Sequence, residues 1–288
     1  MGSKGKKAVD RQTFNDVRPS PIAGQWYPGN RDRLIATVDR FMEHAPQVSI
    51  DGQIVGLVAP HAGYLYSGPV AGRAFALVRG MAFERVVVVS PMHYPYSAPI
   101  LTTAHEAYAT PLGEVPVDRE VLNALSQRVR LSAIRNDEEH SLEIELPFLQ
   151  RALKEPFVLV PLMLRDQSYP TAAALGEALA GVIGNEGKTL LVASSDLSHF
   201  YNEQRARAFD RLMLERIEAF DPQGVIRIED EGKAFACGRA AIATVLVAAR
   251  ALGANAVKIV GYGTSADATG DRQRVVGYGA AAIYRTAA

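Results

Sequence analysis

The sequence predicts an α/β protein with a central, mostly parallel sheet covered by helices on both faces. Three observations carry this reading. Short apolar, β-branched runs alternate along the chain with stretches of helical periodicity. The runs are nearly continuous in apolar residues rather than alternating, as expected of strands buried on both faces. With 288 residues, 48% of them hydrophobic, the chain can bury a sizeable core. No internal repeat and no Ser/Pro linker divides it. The expected organisation is therefore a solvated tail over 1–16 and one domain over 17–288.

In chain order, the pattern places a helix over 31–45 and a strand over 54–59 (IVGLVA), which Pro60 ends because proline cannot donate to a ladder. A helix over 67–78 leads to a strand over 85–90 (RVVVVS), ended in the same way by Pro91. Helices are expected over 118–127 and 140–154, then a strand over 157–164, a helix over 169–184 and a strand over 189–194 (TLLVAS). The helix over 202–220 shows an apolar stripe of Ala206, Phe209, Leu212, Met213, Ile217 and Phe220, with charges on the other face. An Ala-rich helix over 238–253 and strands over 256–263 and 275–284 complete the pattern.

Lys plus Arg and Asp plus Glu each number 31, so the net charge is zero. That balance argues against a nucleic-acid binder or a membrane-surface protein. There is no apolar run long enough for a membrane span, and the basic start lacks the apolar segment of a secretory signal. A single cysteine, Cys237, suits a reducing, cytoplasmic setting.

The informative residues follow the strands. The run at 54–59 leads into Pro60-His61-Ala62-Gly63-Tyr64, that at 85–90 into Pro91-Met92-His93, and that at 189–194 into Ser195-Asp196-Leu197-Ser198-His199. Ligands of open α/β sheets bind beyond the carboxyl ends of the strands, so His61, His93 and His199 can converge although far apart in sequence. Cys237 stands just before the Ala-rich helix, where the helix dipole favours thiolate. Thiolate with imidazoles suits iron, copper or zinc. Asp196 and His199 read as a pocket acid/base and its orienting partner rather than as a serine triad, since no G-x-S-x-G elbow is present. His140 and Glu143 would share a face of the 140–154 helix, as a second metal site, a polar wall of the first, or simply helix capping. Trp26, in AGQWYPG, either packs over a pocket or pins the N-terminal segment. His44 and His105 are read as structural.

At these residues the chain resembles the Memo family, whose prokaryotic members are called AmmeMemoRadiSam system protein B. AGQWYPG, APHAGYLYSG, SPMH, YATPLGEVPVD, DEEHSLEIELPFL, SSDLSHF and ACGR carry the resemblance, in the family's order. It implies a fold like that of class III extradiol dioxygenases, which hold Fe(II) with two histidines and a glutamate beside an acid/base histidine. By resemblance, His61 and His93 are the metal histidines, Cys237 takes the third ligand's place, and His199 is the acid/base. Fe(II) is the first expected metal, copper the second and zinc the third. His140, Glu143, Trp26 and Tyr64 are the expected substrate contacts. The implied function is an oxygen-dependent, non-haem iron or copper oxidoreductase acting on a small-molecule or peptide ligand. A non-catalytic partner-binding role and a zinc-dependent hydrolase are the alternatives. The family name also suggests a functional link to a radical-SAM protein.

Overall fold

A computed structural model describes residues 14–287. Residues 1–13 of the tail expected over 1–16 lie outside them, but Asp16 is tied down, accepting from Arg135 at 2.8 Å and lying 2.7 Å from His105 Nδ1. The elements run β1 (Val17–Arg18), α1 (Arg31–Glu43), β2 (Gly52–Ala59), α2 (Tyr64–Ala76), β3 (Arg85–Pro91), β4 (Ile100–Thr103), β5 (Ala107–Thr110), β6 (Gly113–Pro116), α3 (Arg119–Ser126) and β7 (Leu131–Ile134). A 3-10 turn (Glu143–Glu145) then leads into α4 (Leu146–Ala152), β8 (Val158–Leu164), α5 (Tyr169–Ile183), β9 (Thr189–Ser194), β10 (Asp196–Tyr201), α6 (Glu203–Glu218), α7 (Pro222–Asp230), α8 (Arg239–Ala251), β11 (Ala256–Thr264), α9 (Ala266–Thr269) and β12 (Val275–Thr286).

The central sheet has the order β10-β12-β2-β9-β3-β8-β4-β7, with β11 also paired to β12. Parallel pairing holds among β2, β9, β3 and β8, and again between β4 and β7. The expected α/β sheet with its parallel centre is present, and it is mixed rather than wholly parallel, because β12 and β4 join that centre antiparallel. Val86, Val87, Val88 and Val89 are all fully buried. Successive strand residues face opposite ways, so helices must cover both faces, and each valine contributes roughly 1.5–3 kcal/mol by burial. α5 and α8 pack on one another, with α8 against β9, β3 and β2, whereas α2 packs on β2, β11 and β12. Gly176 lets α5 approach α8: a Cβ there would lie 2.7 Å from Thr244 O. A second, three-stranded sheet has the order β1-β5-β6.

Two departures from the sequence pattern matter for the site. Asp196–Tyr201 forms a strand, β10, where the sequence pattern places none. β11 occupies one edge of β12 over Gly277–Tyr284, so β10 must take the other edge, which β2 occupies further along. The chain leaving β9 thus crosses the end of β2 and replaces it beside β12, and Ser195 N donates to Ala59 O at 2.9 Å on the way. This crossing brings 194–199 around His61. The helix expected over 140–154 begins later, as the 3-10 turn and then α4. Pro147 fits only the first turn of a helix, and the preceding backbone is held instead by Glu139 Oε1, which accepts from His140 N at 3.0 Å and Ser141 N at 2.9 Å. Among the described residues, no helix is long and apolar enough to cross a membrane.

Candidate metal centre

His61, His93 and His140 each offer one nitrogen, and these nitrogens all lie within 4.8 Å of one another. The His93 and His140 rings stack with centroids 4.8 Å apart. His61 meets both edge-on, at 5.4 and 5.5 Å. Each histidine comes from a different segment. His61 lies just past β2, His93 just past β3, and His140 on the irregular stretch before the 3-10 turn.

Their orientation is fixed by oxygens behind them. The Glu139 carboxylate lies 2.9 Å from His93 Nδ1 and 3.3 Å from His140 Nδ1, and its other oxygen accepts from His93 N at 2.6 Å. Burial opposes ionisation of Glu139, but the hydrogen bonds and charge of His93 hold its carboxyl well below the usual carboxylate range. An ionised carboxylate can only accept, so His93 donates to it from Nδ1. His61 Nδ1 pairs with Ser194 Oγ at 2.9 Å, so its Nε2 is the nitrogen on the side of the ring away from Ser194. Burial, reinforced by the other two imidazoles, pushes His61 well below the ordinary imidazole range. Burial pulls His140 to about 4. Neutral imidazoles at neutral pH are the form that ligates metals.

Cys237 Sγ lies 3.2 Å from His61 Nε2 and 3.6 Å from Asp196 O, beside the triad rather than within the mutual 4.8 Å. Its placement before α8 does not make it a thiolate here. Removal from solvent, and then the Asp196 carboxylate, push the thiol well above its usual range and outweigh the helix terminus. Asp196 itself is buried, which raises it to about 7, and its Oδ1 accepts from His61 N at 2.8 Å and Ala62 N at 3.2 Å. The bonds of Asp196 thus go to the turn carrying His61, and the expected pairing with His199 is replaced by that role. His199 Nε2 is buried with no hydrogen-bond partner among the described residues, and its ring tilts against Phe235 at 5.1 Å. Burial, then the charge of His93, lowers His199 to about 4.

The expected substrate contacts divide. Trp26 lies on His140, ring centroids 4.1 Å apart, and lines a cavity of about 520 Å³ with Ala62, Tyr66, Phe200 and Tyr278. Tyr64 Oη donates inward to Ile144 O at 2.8 Å. Glu143 is fully buried and accepts from Arg18, Tyr27 and Ser20. With His140 outside the helix, the pair does not present one helical face. His105, as expected, is structural, clasped by Asp16 and Arg135 O. Sequence reasoning passed over Glu139 and Glu145. The acidic pair before His140 in DEEHS was a usable signal for Glu139; nothing local marks Glu145.

The chain matches the family described as Memo-like protein over residues 18–282. It is 34% identical over 271 residues to a MEMO1 family protein of Nitrosopumilus maritimus, covering 92% of this chain and 98% of the relative. A MEMO1 family protein of Methanopyrus kandleri is 35% identical over 284 residues, covering 93% and 99%. One of Methanothermobacter thermautotrophicus is 34% identical over 273 residues, covering 91% and 98%. A match that runs from the first described strand almost to the end of the last can have one meaning: the chain belongs to the Memo family.

Proposed function

We propose that this chain holds a redox-active transition-metal ion in the His61/His93/His140 cluster, with Cys237 as a further donor, and is an oxygen-dependent oxidoreductase. The observation that carries the reading is the convergence of three imidazoles on one space, with the Glu139 carboxylate behind His93 and His140 and Ser194 Oγ behind His61. Imidazole with a thiol fits iron, copper or zinc and not magnesium or calcium, which prefer oxygen. Iron is our first choice and copper the second; zinc, the third, has no redox couple and would serve only hydrolysis. When bound, iron or copper supplies Lewis acidity and a redox couple. The chain's own residues do the rest. Trp26, Tyr66, Phe200 and Tyr278 wall the neighbouring cavity with aromatic surface that excludes water from a bound substrate. His199 Nε2, unpartnered beside Phe235, takes a proton from substrate or returns one.

The test is metal analysis of protein purified without oxygen, followed by oxygen uptake of the iron-loaded protein with candidate substrates. His199→Ala is expected to keep its metal and lose about 100-fold in turnover, the usual contribution of a positioned acid/base. Equal turnover at equal metal content would remove His199 from the chemistry. Cys237→Ser is expected to fold normally and to bind metal more weakly, since an alcohol is a poorer donor than a thiolate. Unchanged affinity in a chelator competition would leave the ligand set as three histidines. A second reading, a surface that captures a peptide, is favoured by the exposed Leu65, Tyr66 and Phe200, 70%, 40% and 62% accessible. Absence of oxygen uptake with every metal and substrate, together with peptide binding lost in Phe200→Ser, would favour it instead.

A further inference from the structure

Ser194 Oγ has three neighbours: Ser141 O at 2.6 Å, Glu145 Oε1 at 2.7 Å and His61 Nδ1 at 2.9 Å. A hydroxyl has one proton to donate and two lone pairs to accept with. The Ser141 carbonyl can only accept, so the Ser194 proton must go to it if that bond is made. The remaining two partners must then donate into Ser194 Oγ. His61 must carry its proton on Nδ1, and Glu145 must be a neutral carboxylic acid with its proton on Oε1.

The surroundings of Glu145 agree with this count. Its carboxyl is fully buried, and Oε2 has no hydrogen-bond partner among the described residues. A bare oxygen costs far less as a carbonyl than as half of a carboxylate. No cation pairs with Glu145 among the described residues, whereas the neighbouring buried carboxylates have donors: Glu139 has His93 and Glu143 has Arg18. Burial and the nearby Asp196 push the Glu145 carboxyl well above its usual range, against the opposing Ser194 bond.

We propose that Ser194 and a protonated Glu145 form a positioning pair that locks His61 as its Nδ1–H tautomer and aims the Nε2 lone pair at the space shared with His93 and His140. The relay runs one way: Glu145 O–H to Ser194 Oγ, His61 Nδ1–H to the same oxygen, and Ser194 O–H to Ser141 O. Neither residue touches the shared space. The inference rests on the metal-centre reading for its purpose, though the proton positions stand without it.

The test therefore has two readouts. Infrared difference spectra between metal-free wild type and Glu145→Gln at neutral pH should show the C=O stretch of a protonated carboxylic acid in the wild type, shifted in heavy water. A buried carboxyl that the substitution leaves unchanged, such as Asp210, cancels in the difference. A carboxylate doublet in place of that band would overturn the proposal. The second readout is affinity for zinc(II) alone, by competition with a chromophoric chelator. In Glu145→Gln the side-chain amide can still donate to Ser194, so this variant should bind within about threefold of wild type, while Ser194→Ala and Glu145→Ala lose about 10–100-fold, as outer partners of a ligating histidine do. Equal losses in Glu145→Gln and Glu145→Ala would mean that the acid acts by charge and would also overturn the proposal. Should Glu145→Ala fail to fold, Ser194→Ala against Glu145→Gln gives the same contrast. A wild type that binds no zinc would remove the metal reading, while the infrared band would still decide the proton.

Discussion

His61→Ala purified without oxygen is expected to carry no metal and to show no oxygen uptake. His61 is the residue that faces both other imidazoles edge-on, and its Nε2 lies 3.2 Å from Cys237 Sγ. Its removal takes one donor from the triad and separates the thiol from the remaining two. The affinity loss should exceed the roughly 10–100-fold typical of lost outer partners. The fold should survive, since the change leaves Ser194 with one partner fewer, at a cost of about 1–3 kcal/mol. Circular dichroism and metal analysis on one preparation check both halves. Wild-type metal content in His61→Ala would end the metal-centre assignment. The same measurement on His140→Ala and Cys237→Ser ranks the donors: a larger loss in His140→Ala makes three histidines the primary set, and a larger loss in Cys237→Ser makes it two histidines and a cysteine.

Arg18→Met should destabilise the protein by about 3–5 kcal/mol, the cost of leaving buried charge without its partner. Arg18 is 1% exposed. Its guanidinium donates to Asp137 Oδ2 at 2.7 Å, Glu143 Oε2 at 2.5 Å and Glu139 O at 2.8 Å, with the Tyr108 ring 4.8 Å below. Methionine fills much of the volume and satisfies none of these groups. Asp137 and Glu143 would then be interior carboxylates with no cation between them. The three partners bracket His140 in sequence, so loosening them should also lower metal affinity, which a stability loss elsewhere in the sheet would not do. Urea unfolding at neutral pH gives the first quantity and chelator competition the second. Adding Glu143→Gln to Arg18→Met should recover part of the stability, because the two sites share one network. A loss below about 1 kcal/mol would show that Asp137 and Glu143 are neutral or solvated and that Arg18 does not hold the His140 segment.

The sequence by itself determined the elements whose burial is written into their composition. Strands β2, β3, β8 and β9 stand close to where their apolar runs put them, and His61 and His93 follow the two runs that proline ends. The short strands β1, β4, β5, β6 and β7 span two to four residues each and carry too little periodicity to be read. Tertiary structure decided the rest of the site. His140 reaches the triad because Glu139, held through its carbonyl by Arg18 from 121 residues away, orients both His93 and His140. Ser194 and Asp196 surround His61 because the chain leaving β9 crosses the end of β2, a matter of which edge of β12 is free and not of any local pattern. Proton positions were the least legible. A helix N-terminus favours a Cys237 thiolate when read from the sequence, whereas burial and Asp196 hold the thiol protonated. Local periodicity reports how much of a segment is buried. Charge state depends on what lies across the cavity, and only the folded chain brings those groups together.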